Sequence, residues 1–281
     1  MIQDQLFFTC INILIAWSVY VALLAGNLSF AQGAFMAIGC YASGLLTTRL
    51  GMPLLPAMLL AGGFSAMVAV LIGLPALRVR GIYLILVTVG ITFCVRVLVE
   101  NMPLLGGVAG FGGMRGADLW TAAIAVAAVG ALLALLSFSP LQRTLDAVRE
   151  DDRIAGALGI NVTYVKLLAF GGAAAIAGVG GAIYGHYLTF VRPENFDIGV
   201  SIFVVLYVIL GGVNNMLGPM VGAAVMTLLP EYIRGLAEWR PTVFGLAIIV
   251  ILLFRPLGLL PFRFVTLRAK VRRERAGKGV S

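Results

Sequence analysis

The sequence predicts an all-α membrane protein, a polytopic bundle of about eight or nine transmembrane segments with broken or re-entrant helices among them. Three observations lead there. Charged residues make up 11% of the 281 and hydrophobic residues 61%, whereas a soluble domain carries about 25% charge. The mean hydropathy is +1.04. Apolar stretches recur from one end to the other, each close to the ~20 residues with which a helix crosses ~30 Å of hydrocarbon. A transmembrane barrel would show shorter, alternating segments instead.

Nine apolar segments follow in order. The first, Leu6–Ala25, resembles a secretory leader in length, but Asp4 is the only charge before it and no small-residue cleavage site stands out, so it reads as a retained helix. The second, Ala31–Leu50, is preceded by the irregular stretch Gly26-Asn27-Leu28-Ser29. Leu54–Leu77 and Ile82–Asn101 come next. The latter carries Arg96 and Glu100 at i, i+4, a spacing at which the pair neutralises itself. After Leu119–Phe138, the sixth segment, Leu167–Val191, is dominated by small residues from Gly171 to Gly181 and reads as a helix packed inside the bundle. His186, the single histidine, lies near its end and reads as a packing residue rather than a proton relay. The seventh, Val200–Gly212, is short and ends on a glycine pair, so it is either a full crossing or part of a re-entrant element. Met216–Ile233 and Thr242–Leu260 complete the set. Gly181-x-x-x-Gly185 and Gly218-x-x-x-Gly222 predict close helix contacts. Cys10, Cys40 and Cys94 all fall in apolar spans with no CxxC pair, and they read as buried thiols.

The net charge of +8 does not point to nucleic acid, because the cations sit where membrane topology puts them. With nine crossings, Arg78, Arg80, Arg143, Arg149, Arg153, Lys166 and all Lys and Arg from Arg255 onward share one side. Arg49, Arg115, Arg192, Arg234 and Arg240 share the other. The positive-inside rule then makes the first side cytoplasmic, with the C-terminus inside and the N-terminus outside. Residues 1–262 form the transmembrane domain and 263–281 a basic tail suited to anionic lipid.

The most informative polar stretch is 139–165. Ser139-Pro140-Leu141-Gln142 has the layout of a capping box. Leu141, Leu145 and Val148 then make one apolar stripe. Glu150, Asp151 and Asp152 suit the start of a second short helix, Ile154, Ala155 and Leu158 give it an apolar face, and Gly159 stops it. Asn161 caps the following membrane helix. Such an element either covers helix ends or docks into a cytosolic partner, and local pattern leaves both open. For a polar lining within the bundle, Asn27, Ser29, Gln32, Asn214 and Asn215 are the candidates, because irregular backbone at membrane depth needs protein or water around it. Helix–helix hydrogen bonding is the competing role. The two interruptions, Gly26–Gln32 and Gly211–Gly218, have six crossings between them and fall on one side, which an inverted repeat would not do. No metal-spaced or nucleophile–base cluster appears, so neither an enzyme nor a resident cofactor or metal is expected. A secondary transporter would need a titratable group near a midplane, and the spans offer only Glu100, His186 and Glu231 near helix ends.

Ala147-Val148-Arg149-Glu150-Asp151-Asp152, then Ala155, Ala157-Leu-Gly-Ile-Asn-Val162 and Lys166-Leu-Leu-Ala-Phe170, resemble the coupling loop of branched-chain amino-acid ABC transporter permeases, most closely the M-type. So do Gly26-Asn-Leu-Ser-Phe-Ala-Gln-Gly-Ala-Phe35, Leu77-Arg-Val-Arg-Gly-Ile-Tyr-Leu84, Gly181-Ala-Ile-Tyr-Gly-His-Tyr187, Leu210-Gly-Gly212 with Gly218-Pro219, and Leu253-Phe-Arg-Pro-Leu-Gly258, in family order. The Gly106–Gly116 loop departs from the family in lacking an aspartate beside its glycines. The resemblance implies an inner-membrane importer subunit for branched-chain or related hydrophobic amino acids. Permeases for urea, amides or sugars are related alternatives. Its partners would be a second permease subunit, two cytosolic ATP-binding subunits and a periplasmic substrate-binding protein. Arg149, Glu150, Asp151, Ala155, Leu158 and Gly159 would form the ATPase-coupling loop. The chain has no GxxxxGK[ST] phosphate loop, so ATP hydrolysis is expected on a partner.

Overall fold

The computed structural model describes residues 2–79, 81–232 and 245. Arg80, the ninth apolar segment, the Leu253–Gly258 motif and the basic tail lie outside them. Among the described residues the protein is a helical bundle with one two-residue ladder. Its membrane helices are α1 (Ile2–Leu24), α2 (Gln32–Leu50), α3 (Leu54–Ala76), α4 (Ile82–Glu100) and α5 (Leu119–Phe138). Two short helices, α6 (Pro140–Glu150) and α7 (Asp152–Ala157), lead into α8 (Val162–Leu188), α9 (Ile198–Gly211) and α10 (Leu217–Tyr232). β1 (Phe111–Gly112) pairs antiparallel with β2 (Phe190–Val191).

Eight of the nine predicted segments are thus helices, and six stretches of the described residues are long and apolar enough to cross a membrane. The two left out are α2, long enough but diluted by Gln32, Arg49 and its small and hydroxyl residues, and α10; the stretch Pro193–Gly211, which contains α9, is among the six. α9 has 14 residues and α10 has 16 among the described residues, about 21 and 24 Å at 1.5 Å per residue. Trp17 Nε1 donates to the Met216 carbonyl at 2.8 Å, and Asn12 Nδ2 donates to Thr227 Oγ1 at 2.8 Å. α10 therefore runs antiparallel to α1. The turn between α9 and α10 lies beside Trp17, seven residues short of the end of α1. Among the described residues the seventh and eighth segments form a helical hairpin whose turn packs against α1 at Trp17.

The two ends of the bundle are distinct. At the end we call basal, Tyr20, Leu24 and Ala25 pack with Leu145, Val148, Ala155, Val165 and Ala169. At the apical end Phe7 stacks on Tyr187, whose hydroxyl donates to Asp4. α1 and α8 are thus antiparallel and form the centre, while α3, α4 and α5 leave much of their apolar surface uncovered. Outward Leu59, Leu71, Leu86 and Leu135 are what lipid-facing helices require. Arg143, Arg149, Arg153 and Lys166 gather at the basal end, and Arg49, Arg115 and Arg192 at the apical end, the grouping expected from sequence.

Small residues set the helix spacing around α8. A Cβ at Gly39 would overlap the Gly178 carbonyl, and one at Gly181 would overlap the Met36 carbonyl. One at Gly178 would come within 2.7 Å of Ser65 Cβ. The second small-residue motif works alike: Gly222 faces the Tyr207 carbonyl and Gly218 the glycine pair that ends α9. Without Cβ atoms the backbones reach van der Waals contact, the source of helix adhesion in lipid.

Candidate functional site

Two features of the bundle could do work, the basal element and the interrupted start of α2, and they touch. The basal element is built from local chemistry. Pro140 opens α6, and Leu145 and Val148 are buried beneath it with Leu141 partly so. The capping box does not form. Gln142 Nε2 donates along the helix to Asp146 Oδ1 at 3.1 Å instead, and Ser139 Oγ is buried without a partner among the described residues. Asp151 caps α7, accepting from the N–H groups of Arg153 at 2.8 Å and Ile154 at 3.1 Å. Those bonds favour the ionised form and hold its pKa below the ordinary 3.8. The helix ends as predicted at Gly159, whose φ is +86°. Gly159 N–H donates to the Gly156 carbonyl and Ile160 N–H to that of Ala155, the paired bonds of a Schellman stop. Asn161 Oδ1 accepts from Tyr164 N–H at 3.1 Å and starts α8.

The predicted apolar face of α7 is divided. Ala155 is buried against α1 and α8, whereas Ile154 and Leu158 stand 61% and 76% exposed. Arg149 is half-buried, and Glu150, Asp151 and Gly159 are exposed. Lys166 Nζ pairs with Asp152 Oδ2 at 3.2 Å and ties α7 to α8; partly exposed, that pair contributes about 1 kcal/mol or less.

The start of α2 lies deep in the bundle. Ala31 and Ala34 share a cluster with Ala174, next to the midpoint of α8. On α4, Thr88 Oγ1 accepts from Phe30 N–H at 3.1 Å and Thr92 Oγ1 donates to the Phe30 carbonyl at 2.9 Å. Ser201 Oγ on α9 accepts from Gly33 N–H at 2.9 Å. Three helices thus hold an extended segment and a helix start at mid-depth, as backbone without helical partners demands in hydrocarbon. Sequence reasoning missed Thr88, Thr92 and Ser201. Two threonines at i, i+4 in the apolar run that precedes Arg96 were the available signal.

The five sequence candidates for a polar lining separate by what their atoms already do. Asn27 is buried and donates to the Lys166 carbonyl at 3.3 Å. Ser29 is buried and accepts from Ala31 N–H at 3.1 Å. Asn215 Oδ1 accepts from Leu217 N–H at 3.3 Å at the start of α10, and Asn214 is exposed in the same turn. Gln32 differs. It has no exposed surface, and neither its amide oxygen nor its amide nitrogen has a partner among the described residues. Leaving such atoms unmet costs about 1–3 kcal/mol each. The five are not brought together in one place: Asn27 is basal, Ser29 and Gln32 flank the break, and the asparagine pair sits on the α9–α10 turn.

A short path joins the two features. A Cβ on Gly26 would stand 3.6 Å from Arg149 Cα, Asn27 bonds Lys166, and Lys166 pairs with Asp152. Five residues of irregular chain, 27–31, then reach Gln32.

Other polar residues are accounted for by packing. His186 is 1% exposed. Its Nδ1–H donates to the Ala182 carbonyl at 2.8 Å, and Nε2 faces the Thr47 hydroxyl at 2.9 Å. Arg96 pairs with Glu100 at 2.8 Å, as its spacing predicted, and also with Asp197 at 3.2 Å, which ties α4 to the start of α9. The three cysteines are free thiols; Cys40 is buried, Cys10 half-buried and Cys94 exposed, the last two departing from the expected burial. Among the described residues no group of three or more His, Cys, Asp or Glu is placed to hold a metal.

Comparison with known proteins gives three findings. Residues 1–255 match the family described as "Branched-chain amino acid transport system / permease component". The chain is 31% identical to the high-affinity branched-chain amino acid transport system permease protein LivM of Salmonella typhimurium and 30% identical to that of Escherichia coli K12. Each alignment covers 93% of this chain and 70% of the relative. It is also 30% identical to LivH of Salmonella typhimurium, over 46% of this chain and 42% of that protein. No solved structure matches.

Proposed function

The chain belongs to the family of branched-chain amino acid transport system permease components, and from that premise we propose that it is the membrane-spanning subunit of an ATP-driven importer for branched-chain or related hydrophobic amino acids. Its setting is the bacterial cytoplasmic membrane, with the basal end and the tail from residue 263 in the cytoplasm. It works beside a second permease subunit, two cytosolic ATP-binding subunits and an external binding protein. The absence of a phosphate loop from the sequence supports ATP hydrolysis on a partner.

The coupling loop in this reading is 139–165. The observation that carries it is the exposed apolar tip, Ile154 and Leu158, on a helix whose opposite side is anchored through Ala155 to α1 and α8. A loop that merely covered helix ends would turn those side chains inward. Exposed as they are, they suit a cleft on a partner, with Arg149, Glu150 and Asp151 as a polar rim and Gly159 allowing close approach. Movement of the partner on ATP binding would be handed through Gly26, Asn27 and Lys166 to the start of α2.

The test is Leu158→Glu in the assembled transporter. It changes a surface side chain and spares the buried Ala155, whose replacement by a bulky group would damage packing instead. Expected is a fall in leucine uptake of at least tenfold, with the chain at normal abundance in the membrane and copurifying poorly with the ATPase. Uptake within twofold of wild type would reject the coupling assignment.

A further inference from the structure

The orphaned amide of Gln32 bears on where the solute is held. Gln32 is the first residue of α2, and a Cα–Cβ bond at a helix start leans toward the N-terminus. The side chain therefore leans out past the uncapped N-terminal end of α2, the end at which its free N–H groups point. Ala31 provides no side-chain cap. Gly33 N–H is taken by Ser201, and among the described residues the N–H groups of Gln32 and Ala34 have no partner. The place has an orphan donor, an orphan acceptor, two free backbone donors and the positive end of a 19-residue helix. It lies at mid-depth in the bundle.

We propose that this place is the seat of the solute's charged head, a deepening of the import reading on which it rests. The carboxylate of a zwitterionic amino acid takes the free N–H groups of α2 and Gln32 Nε2–H. Gln32 Oε1 accepts from the ammonium group. One neutral amide serves both ends of the zwitterion, and a start of α2 interrupted at mid-depth offers its dipole to the anion. Without a fixed charge the seat releases what it holds, which a translocation pathway needs. In the conformation described here the seat is shut, since Gln32 has no exposed surface. Admission of a solute requires a neighbouring helix to move away from the start of α2, which α4 holds through Thr88 and Thr92 and α9 through Ser201. The path from Arg149 and Lys166 ends at this point.

The experiment uses the complete transporter, containing this chain and its partner subunits, in proteoliposomes with radiolabelled leucine at saturating binding protein. Wild type must first accumulate leucine when ATP is supplied; if it does not, the import reading itself fails. Given that activity, Gln32→Leu should lower the initial uptake rate at least tenfold and abolish leucine-stimulated ATP hydrolysis while basal hydrolysis continues. Gln32→Glu, nearly the same size, should lose uptake as strongly because it sets a carboxylate against the solute's own. Uptake by Gln32→Leu within twofold of wild type would overturn the proposal and leave the amide to a bound water. If Gln32→Leu fails to assemble, Gln32→Glu decides: assembled and transporting leucine within twofold of wild type, it overturns the proposal.

Discussion

Gly178 illustrates how much depends on single atoms in this bundle. It faces Gly39 on one side and Ser65 on the other, so the backbones of α2, α3 and α8 meet around one residue. Overpacking in a core costs about 1–3 kcal/mol when side chains can shift; here much of the obstacle is backbone. Gly178→Leu should leave little assembled protein, read as detergent-resistant material in membranes, whereas Gly63→Ala, with nothing within 4 Å of the added Cβ, should leave wild-type amounts. Asp151 supplies a residue-scale test of a different kind. Its folded pKa is depressed, so the part of its capping contribution that comes from ionisation is complete above the unfolded value near ~3.9 and is lost as pH falls through the lower folded value. Asp151→Ala should increase amide exchange in 152–158 at pH 7, Asp151→Asn should preserve much of the protection, and below the folded pKa the difference between wild type and Asp151→Ala should narrow to that between Asp151→Asn and Asp151→Ala.

At the scale of elements, the anchored break before α2 is the most consequential piece. Phe30 is held by Thr88 and Thr92, and Gly33 by Ser201, so three of the backbone groups freed where the chain leaves helical geometry at mid-depth are met by side chains. Thr92→Val keeps the shape but leaves the Phe30 carbonyl unmet. A loss of about 1–3 kcal/mol is expected, seen as a lower unfolding midpoint in detergent; an unchanged midpoint would show that the carbonyl finds another donor. The basal element is ordered chiefly by its own stop and start signals. Asn161→Ala removes the cap of α8 and should cost about 1 kcal/mol.

For the whole molecule the issue is which end faces the cytoplasm. The cation distribution favours the basal end, and so does the reading of 139–165 as a coupling loop. Cysteines placed at the exposed Arg153 and Arg192, in a background free of native cysteine, should respond oppositely to a membrane-impermeant thiol reagent. Position 153 should be labelled only in inverted vesicles and position 192 only in right-side-out ones. Labelling of position 153 from outside would end the coupling reading, whatever the uptake assays gave.

Much of the protein was legible in sequence because the controlling physics is local. Apolar length specifies a membrane helix, and the edges of α3, α4 and α5 fall within a residue of the apolar runs. Pro140, Asp151, Gly159 and Asn161 act on backbone groups one to four residues away, so the α6–α7–α8 join was readable as well. Where a local pattern had a competing partner, as with Gln142 and Asp146, the expected capping box gave way. What only the tertiary structure decided was the fate of polar atoms whose partners are remote in the chain. Asn27, Ser29, Gln32 and Asn215 look alike in a sequence, but Lys166 occupies one across 139 residues, nearby backbone occupies two more, and Gln32 is left over. The depth of α2 likewise came from contacts to α4, α8 and α9. Hydropathy is summed along the chain, whereas hydrogen-bond satisfaction is settled in space, and the proposed solute seat is a matter of the second kind.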